Sequence, residues 1–458
     1  MSQPSASYDK NRLADLLKTI YDFTKLGASD SGNCRRCKIL GGSGTRICFS
    51  SDKGAFEGVV PDGHGPTLMI FDDGADAYEQ FVTETLKDGD IKNLVGADAI
   101  EQQLDTLLRS TGGKLPERNL QEVVRYDVLK PLRDGIQDWV TYVPIENLVV
   151  RVPLRLGDVN FVSADFAREE CQRFFDGFRF AGDVERQATQ TQGILKHVDA
   201  ACNDVRAFAK VALHAYDKKA DDVAAAKALV AVNILRSHTH LLFSPGKKAL
   251  IGLPTEITRG SWKSISIGQG NERPFQLQDK IKGYLVPFVL DQPALDHLVD
   301  KCHLGLIQEI LDIPASNRNS LQSAIIQAFQ ALGRAIVAPT IDMRFLGCTI
   351  ALERMLIRDR EESTTERWSD RLAVVLGEDP GQRQSLIQRA KGLYDLRSRI
   401  VHAAYSGVSD VDARLMEEWA MRVILSTVER YKDFSSHEEF CRKIDPREIG
   451  LSSGGNIS

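Results

Sequence analysis

The spacing of apolar residues changes period along this 458-residue chain, and the changes divide it. Leu13, Leu16, Leu17, Ile20 and Phe23 recur at steps of three and four, which predicts an amphipathic helix from Asp9 to Lys25. From Ala28 to Gly65 the texture turns to Gly, Ser and Asp around short apolar pieces, as strands and turns require. Asp76 to Lys87 and Ala97 to Arg109 return to helical spacing. Trp139 to Phe161 alternates apolar and polar residues around Pro144, Pro153 and Gly157, the pattern of a hairpin or short sheet. Residues 1–180 therefore read as an α+β region. Asp183 to Leu242 reads as helix almost throughout; Ala207 to Leu235, rich in Ala, Val and Leu, has few breakers. Strand-like runs follow at Trp262 to Ile267 and Gly283 to Leu290, so residues 181–313 form a mixed middle region, separate from the first or continuous with it.

The last third has the cleanest period. Pro314 to Asn319 breaks the pattern as a linker would, and Asn319 can cap the helix marked by Leu321, Ile325, Ala328, Leu332 and Ile336. Asp342 can cap a second helix, on which Leu346, Ile350, Glu353 and Ile357 share a face. A third starts at Ser363 and Glu366, in capping-box spacing, and ends at Gly377. A fourth runs from about Pro380 to Ala404, and a fifth from Asp410 carries Met416, Trp419, Ala420, Val423, Thr427 and Val428 in register. Helices joined this closely make a bundle over residues 319–435. Residues 436–458 read as a tail whose end, from Ser452, is disordered. The expected fold class is an α+β N-terminal and middle part followed by an all-α C-terminal bundle.

Composition narrows the class. Hydrophobic residues make 43% and charged residues 26%, ordinary for a globular protein, and a formal net charge of −5 provides no whole-chain basic field for nucleic acid. Eight cysteines scattered over this length do not make a disulfide framework. The opening Met-Ser-Gln-Pro-Ser-Ala-Ser lacks a signal pattern and no apolar run is long enough to span a bilayer, so the expectation is a soluble cytoplasmic protein with no membrane contact.

Charge is instead concentrated in the fourth helix of the bundle. Between Gly381 and His402, five cations (Arg383, Arg389, Lys391, Arg397 and Arg399) stand against a single acid, Asp395. One such helix suffices as a first docking surface for phosphates, although a solvated helix face is the plainer alternative. Five positions separate Arg397 from His402, a rotation of about 140°, so the two straddle an edge of the helix instead of stacking. Arg397 at that boundary can bury its stem and turn its guanidinium outward toward His402, and the pair could then hold one phosphate. Glu353, an acid on an otherwise apolar face, should find a cation, with Arg397 the natural candidate and Arg344 or Arg354 the alternatives.

The run Tyr394-Asp395-Leu396-Arg397-Ser398-Arg399-Ile400-Val401-His402, with Ile350-Ala351-Leu352-Glu353-Arg354-Met355-Leu356 upstream, resembles the Apea-like branch of the HEPN superfamily. The resemblance spans roughly Asn319 to Tyr431. It implies an all-α bundle that pairs with a second copy and, in many members, a metal-independent ribonuclease whose Arg and His meet their counterparts across the dimer. Carried to this chain, Arg397 becomes the phosphate anchor, His402 the proton-transfer group and Glu353 the orienting partner, with Arg389, Lys391, Ser398 and Arg399 as RNA contacts. No cofactor or metal is implied. RNA and a second copy are the expected partners, with a regulatory protein or a phage-derived trigger acting on the preceding residues in a prokaryotic defence or toxin setting. The family often has Gly after the His, where this chain has Ala403. A non-catalytic module that dimerises and binds a nucleotide or protein is the alternative.

Cleaving RNA without a metal needs a proton acceptor for the 2′-hydroxyl, a donor for the leaving oxygen and a cation on the phosphate; imidazole and guanidinium supply these. Other motifs carry less. Cys34-x2-Cys37 with Cys48 and His64 could hold zinc but lacks a second Cys pair, and His238-x-His240 would present two imidazoles from one face of a strand with no third ligand in sight. Gly41-Gly42-Ser43-Gly44-Thr45 lacks the Lys of a phosphate loop and reads as a turn. Tyr405, three positions after His402, reads as a packing residue.

Overall fold

In the computed structural model, residues 10–26, 36–40, 46–49, 68–177, 184–242, 250–256, 261–267, 275–281, 287–358, 364–403 and 407–448 are described. The fold is mixed α+β and ends in a run of helices. Two compact units form: Met1–Val140 with Ala212–Val223, and Thr141–Val211 with Ala224–Ser458. Among the described residues no helix is long and apolar enough to cross a membrane.

The first unit opens with α1 (Lys10–Asp22), strands β1 (Thr24–Leu26), β2 (Arg36–Leu40), β3 (Arg46–Phe49) and β4 (Leu68–Phe71), then α2 (Asp72–Thr85) and α3 (Ala97–Ser110). The strands make an antiparallel sheet in the order β1-β4-β2-β3. Leu17 and Ile20 of α1 bury against Tyr78 and Phe81 of α2 and Leu104 and Leu108 of α3, as the three-and-four spacing requires. Two short helices, α4 (Leu120–Val123) and α5 (Lys130–Asp134), flank a π-helical turn at Val124–Leu129.

Strands β5 (Ile136–Ile145), β6 (Leu148–Val150), β7 (Leu154–Leu156) and β8 (Val159–Ser163) follow, then α6 (Ala164–Gly177) and α7 (Val184–Asp204). The next segment departs from the expected helix. Ala207–Tyr216 is strand β9, paired antiparallel to β8 with Val211 opposite Val159 and Ala209 opposite Phe161, in a sheet of order β5-β9-β8-β7. Alanine and leucine favour helix when nothing else decides, but here small buried residues fit an interior strand and packing overrides propensity. Helix proper resumes as α8 (Asp217–Leu242). Strand β10 (Ser261–Ile267) forms where expected and pairs with an unforeseen β11 (Phe275–Ile281), while β12 (Phe288–Leu290) lies parallel to β6.

The helical run begins with α9 (Gln292–Cys302) and α10 (Leu304–Asp312) and continues through α11 (Ser320–Ile336), α12 (Ile341–Leu356), α13 (Thr364–Leu376), α14 (Pro380–Ala403), α15 (Asp410–Arg430) and α16 (His437–Lys443). Asn319 caps α11 through a capping box with Gln322. The cap of α12 is Thr340, which accepts from the Met343 amide, and not Asp342, which sits in the first turn. Thr340 has the extended backbone an N-cap needs, two positions earlier than the acid suggested. Phe345, Cys348, Leu352 and Met355 form the buried face of α12, so the stripe of Leu346, Ile350, Glu353 and Ile357 is turned away from the core. Within the segment expected as a tail, residues 437–443 form α16, capped by Ser436.

Two buried polar clusters tie this run together. Arg236 of α8 donates to Ile251 O, Gly333 O and the Glu256 carboxylate, and a Cβ on Gly333 would stand 2.5 Å from that of Asn233, so α8 and α11 meet almost backbone to backbone. Asp445 accepts from Arg371 at 2.9 Å and from Arg367 at 2.7 Å, anchoring the segment after α16 to α13. The disorder expected from Ser452 and the Ser363 cap lie outside the described residues.

Candidate functional site

Helix α14 starts at Pro380, with Asp379 accepting from the Gln382 amide, and buries Ala390, Leu393 and Leu396. That narrow stripe leaves Tyr394 and Arg397 at the margin between core and solvent, where both side chains reach α12. Arg397 Nη2 lies 3.4 Å from Glu353 Oε1, and the Tyr394 hydroxyl donates to the same oxygen at 3.1 Å. The guanidinium also sits over the Tyr394 ring, 5.6 Å from its centroid, and that ring packs against buried Trp368. Burial first, and then the Glu353 carboxylate beside it, push the Tyr394 hydroxyl up to about 12. With side chains 27% and 22% exposed, the Arg397–Glu353 pair contributes only about 1 kcal/mol to stability. Its consequence is orientation: the guanidinium is held between a carboxylate and an aromatic face.

These groups line a cleft of about 810 Å³. The α12 side is the turned-away stripe: Ile350, Glu353, Arg354 and Ile357, with Arg358 just past the helix end. Ser320, Ser323 and Gln327 of α11 form a neutral polar wall, and His437 of α16 closes one end. Three guanidinium groups, those of Arg354, Arg358 and Arg397, thus share the cleft with one carboxylate. Arg358 bonds Glu448 at 3.1 Å, while Arg354 is exposed and engages no partner among the described residues. The His437 ring is fixed by a 2.9 Å bond from Nε2 to Met355 O, its backbone amide by Ser320 Oγ at 2.9 Å. A volume of this size suits one or two nucleotides, and its charge suits anions.

The other expected residues lie elsewhere. His402 is exposed near the end of α14 and does not line the cleft; it stands about 7.5 Å further along the axis than Arg397 and about 140° around it. Within one chain, Arg397 turns to Glu353 and not to His402, so the two do not grip a common phosphate. Arg389 pairs with Asp412, and Arg383 donates to Gly377 O, so part of the basic run serves internal contacts. Arg389, Lys391, Ser398 and Arg399 are all outside the cleft lining. Tyr405 falls beyond the described residues.

His238 sits in α8, not on a strand: fully buried, its ring nitrogens lie 2.6 Å from Ile234 O and 3.1 Å from Cys302 O. Cys37 of β2 stands opposite Cys48 of β3 in register, Cys34, His64 and Gly41 to Thr45 lie outside the described residues, and no metal-holding cluster occurs among the described residues. Sequence reasoning placed neither Arg358 nor His437 at the site, and weighed Arg354 only as an alternative partner for Glu353. The one available signal was the arginines' place at the end of the Glu353 helix; His437 joins only through the packing of α16 on α11.

No family model, no curated protein and no solved structure matches this chain. The site must therefore be read from its own chemistry.

Proposed function

We propose that the C-terminal helices form a HEPN-type, homodimeric effector that binds RNA and cleaves it without a metal. Arg397 of one protomer holds the phosphate and the partner's His402 moves the proton. The reading is supported above all by Arg397: a guanidinium held by Glu353 and Tyr394 at the edge of an open, cationic cleft. His402 is exposed and therefore available to a second copy.

Exposed apolar side chains also occur on α12, α14 and α15. Arg344 and Asp342 of α12 contact Asp410 and the Val408 amide, and Arg389 of α14 contacts Asp412, so the starts of α12 and α15 lie together beside Arg389. Met343, Val401 and Val411 are 54%, 50% and 71% exposed, and Val401 stands next to His402 in the chain.

In the reaction, one imidazole takes the 2′-hydroxyl proton as that oxygen bonds to phosphorus. The P–O5′ bond breaks, the leaving oxygen takes a proton, and a 2′,3′-cyclic phosphate and a 5′-hydroxyl result. Arg397 offsets the charge that grows on the phosphate oxygens. The preceding residues are assigned to sensing or restraint, with a regulatory protein or phage-derived trigger as their partner in defence or toxin action. Purified protein is expected to degrade RNA in EDTA with cyclic phosphate ends, and His402→Ala to be inactive; full activity of that variant rejects the assignment.

A second reading, a non-catalytic module that dimerises and binds a nucleotide or protein, is favoured by one observation: His402 lies outside the cleft. Tight RNA or nucleotide binding with no cleavage, in wild type and variant alike, selects it.

A further inference from the structure

We propose that Arg354 and Arg358 form a second phosphate subsite beside Arg397, so that the cleft holds two neighbouring phosphates of one single-stranded RNA. The inference rests on the RNA-binding reading and names residues and a strand geometry which that reading does not contain.

Charge comes first. The cleft offers three guanidinium groups to one carboxylate, and that carboxylate is already shared by Arg397 and Tyr394. Arg354 and Arg358 also line the cleft; the first is exposed with no partner among the described residues, and the second bonds Glu448 at 3.1 Å. Arg354 neutralises no carboxylate among the described residues, and Arg358 retains guanidinium N–H groups beyond its bond to Glu448.

The helix end is prepared for an anion. The last carbonyls of a helix carry partial negative charge and repel phosphate. Here Leu356 O accepts from Arg371 Nη1 at 2.7 Å and Met355 O lies 2.9 Å from His437 Nε2, so both carbonyls are already occupied by cationic or N–H groups. Two of the last carbonyls of α12 thus have donors that offset their partial charge beside the guanidinium groups.

The opposite wall has a different chemistry. Ser320, Ser323 and Gln327 provide neutral donors and acceptors, with Ala324 between them. Such groups suit ribose hydroxyls and base edges, whereas phosphates belong on the cationic wall. A cleft of about 810 Å³ admits one strand, not a duplex.

The test uses the full chain and a 2′-O-methyl single-stranded RNA, which binds but is not cut. Affinity is measured by fluorescence anisotropy across salt concentrations for wild type, Arg354→Ala, Arg358→Ala, Arg397→Ala and the control Arg422→Ala, an exposed side chain of α15 outside the cleft, with thermal melts confirming folding. Each cleft variant is expected to weaken binding about 3- to 10-fold at low salt. Each should also flatten the dependence of log K on log salt by about 0.7, the single-strand value per phosphate lost. Arg422→Ala should change neither, and a duplex of the same sequence should compete at least about tenfold worse. Unchanged affinity and slope in Arg354→Ala and Arg358→Ala, with Arg397→Ala impaired, overturns the subsite and leaves the RNA reading standing. Failure of wild type to bind any RNA overturns both.

Discussion

Glu353 and Arg397 face each other across a cleft wall at 3.4 Å, and the hydroxyl of Tyr394 donates to the same carboxylate oxygen. The carboxylate fixes where the guanidinium points and also opposes its charge, and these two effects separate in experiment. Glu353→Gln keeps a hydrogen-bond acceptor but removes the opposing charge. RNA affinity is expected to hold or tighten while the single-turnover cleavage rate falls about tenfold or more, because a misplaced anchor costs more in the transition state than in binding. Equal losses in affinity and rate would instead make Glu353 a mere contributor to binding.

The proposed dimerisation is expected to cover the exposed apolar side chains Val401 and Val411. Val401→Glu and Val411→Glu should shift the protein to monomer in analytical ultracentrifugation and abolish cleavage, with helical content by circular dichroism unchanged. A monomeric wild type, or an active monomeric variant, contradicts this.

Close approach of two helices predicts a stability effect far from the cleft. Gly333→Ala places a methyl 2.6 Å from the Asn233 backbone, where no side chain can rotate away. It should destabilise the protein by about 1–3 kcal/mol in urea unfolding, and Gly392→Ala, with open space around it, should be neutral or stabilising.

Asp445 supplies a pH dependence. Burial opposes its charge, but the hydrogen bond from Arg371, the Arg447 amide and Arg367 together hold its carboxyl below the usual range. A carboxyl lowered on folding stabilises the protein above its unfolded pKa, and that stability is lost as pH falls through the folded value. Stability should decline below about pH 4 in wild type. Asp445→Asn, which leaves the fully buried Arg371 without its anion, should cost about 3–5 kcal/mol near neutrality and flatten the acid limb. Urea midpoints at pH 3 to 7 read both.

Much of the helical run was legible because its signals are local. Asn319 and Gln322 cap α11, the spacing of Met416, Trp419, Ala420 and Val423 defines α15, and the lone acid Glu353 called for a cation that Arg397 provides. What failed depended on distant neighbours. The strand at Ala207–Tyr216 exists because β8 pairs with it, and its alanines give no sign of that partner. His437 belongs to the cleft only because α16 packs on α11, more than a hundred residues earlier in the chain. The α12 stripe containing Ile350 resembled core because apolar periodicity marks a face and not what covers it.

In the proposed dimer a guanidinium from one protomer and an imidazole from the other complete one site. Arg397→Ala and His402→Ala proteins, each inactive alone, are mixed, allowed to exchange subunits, and assayed for RNA cleavage in EDTA. The mixed dimer retains one site with both groups intact, so activity should return toward a substantial fraction of wild type. A mixture that exchanges subunits yet stays as inactive as its components contradicts the account.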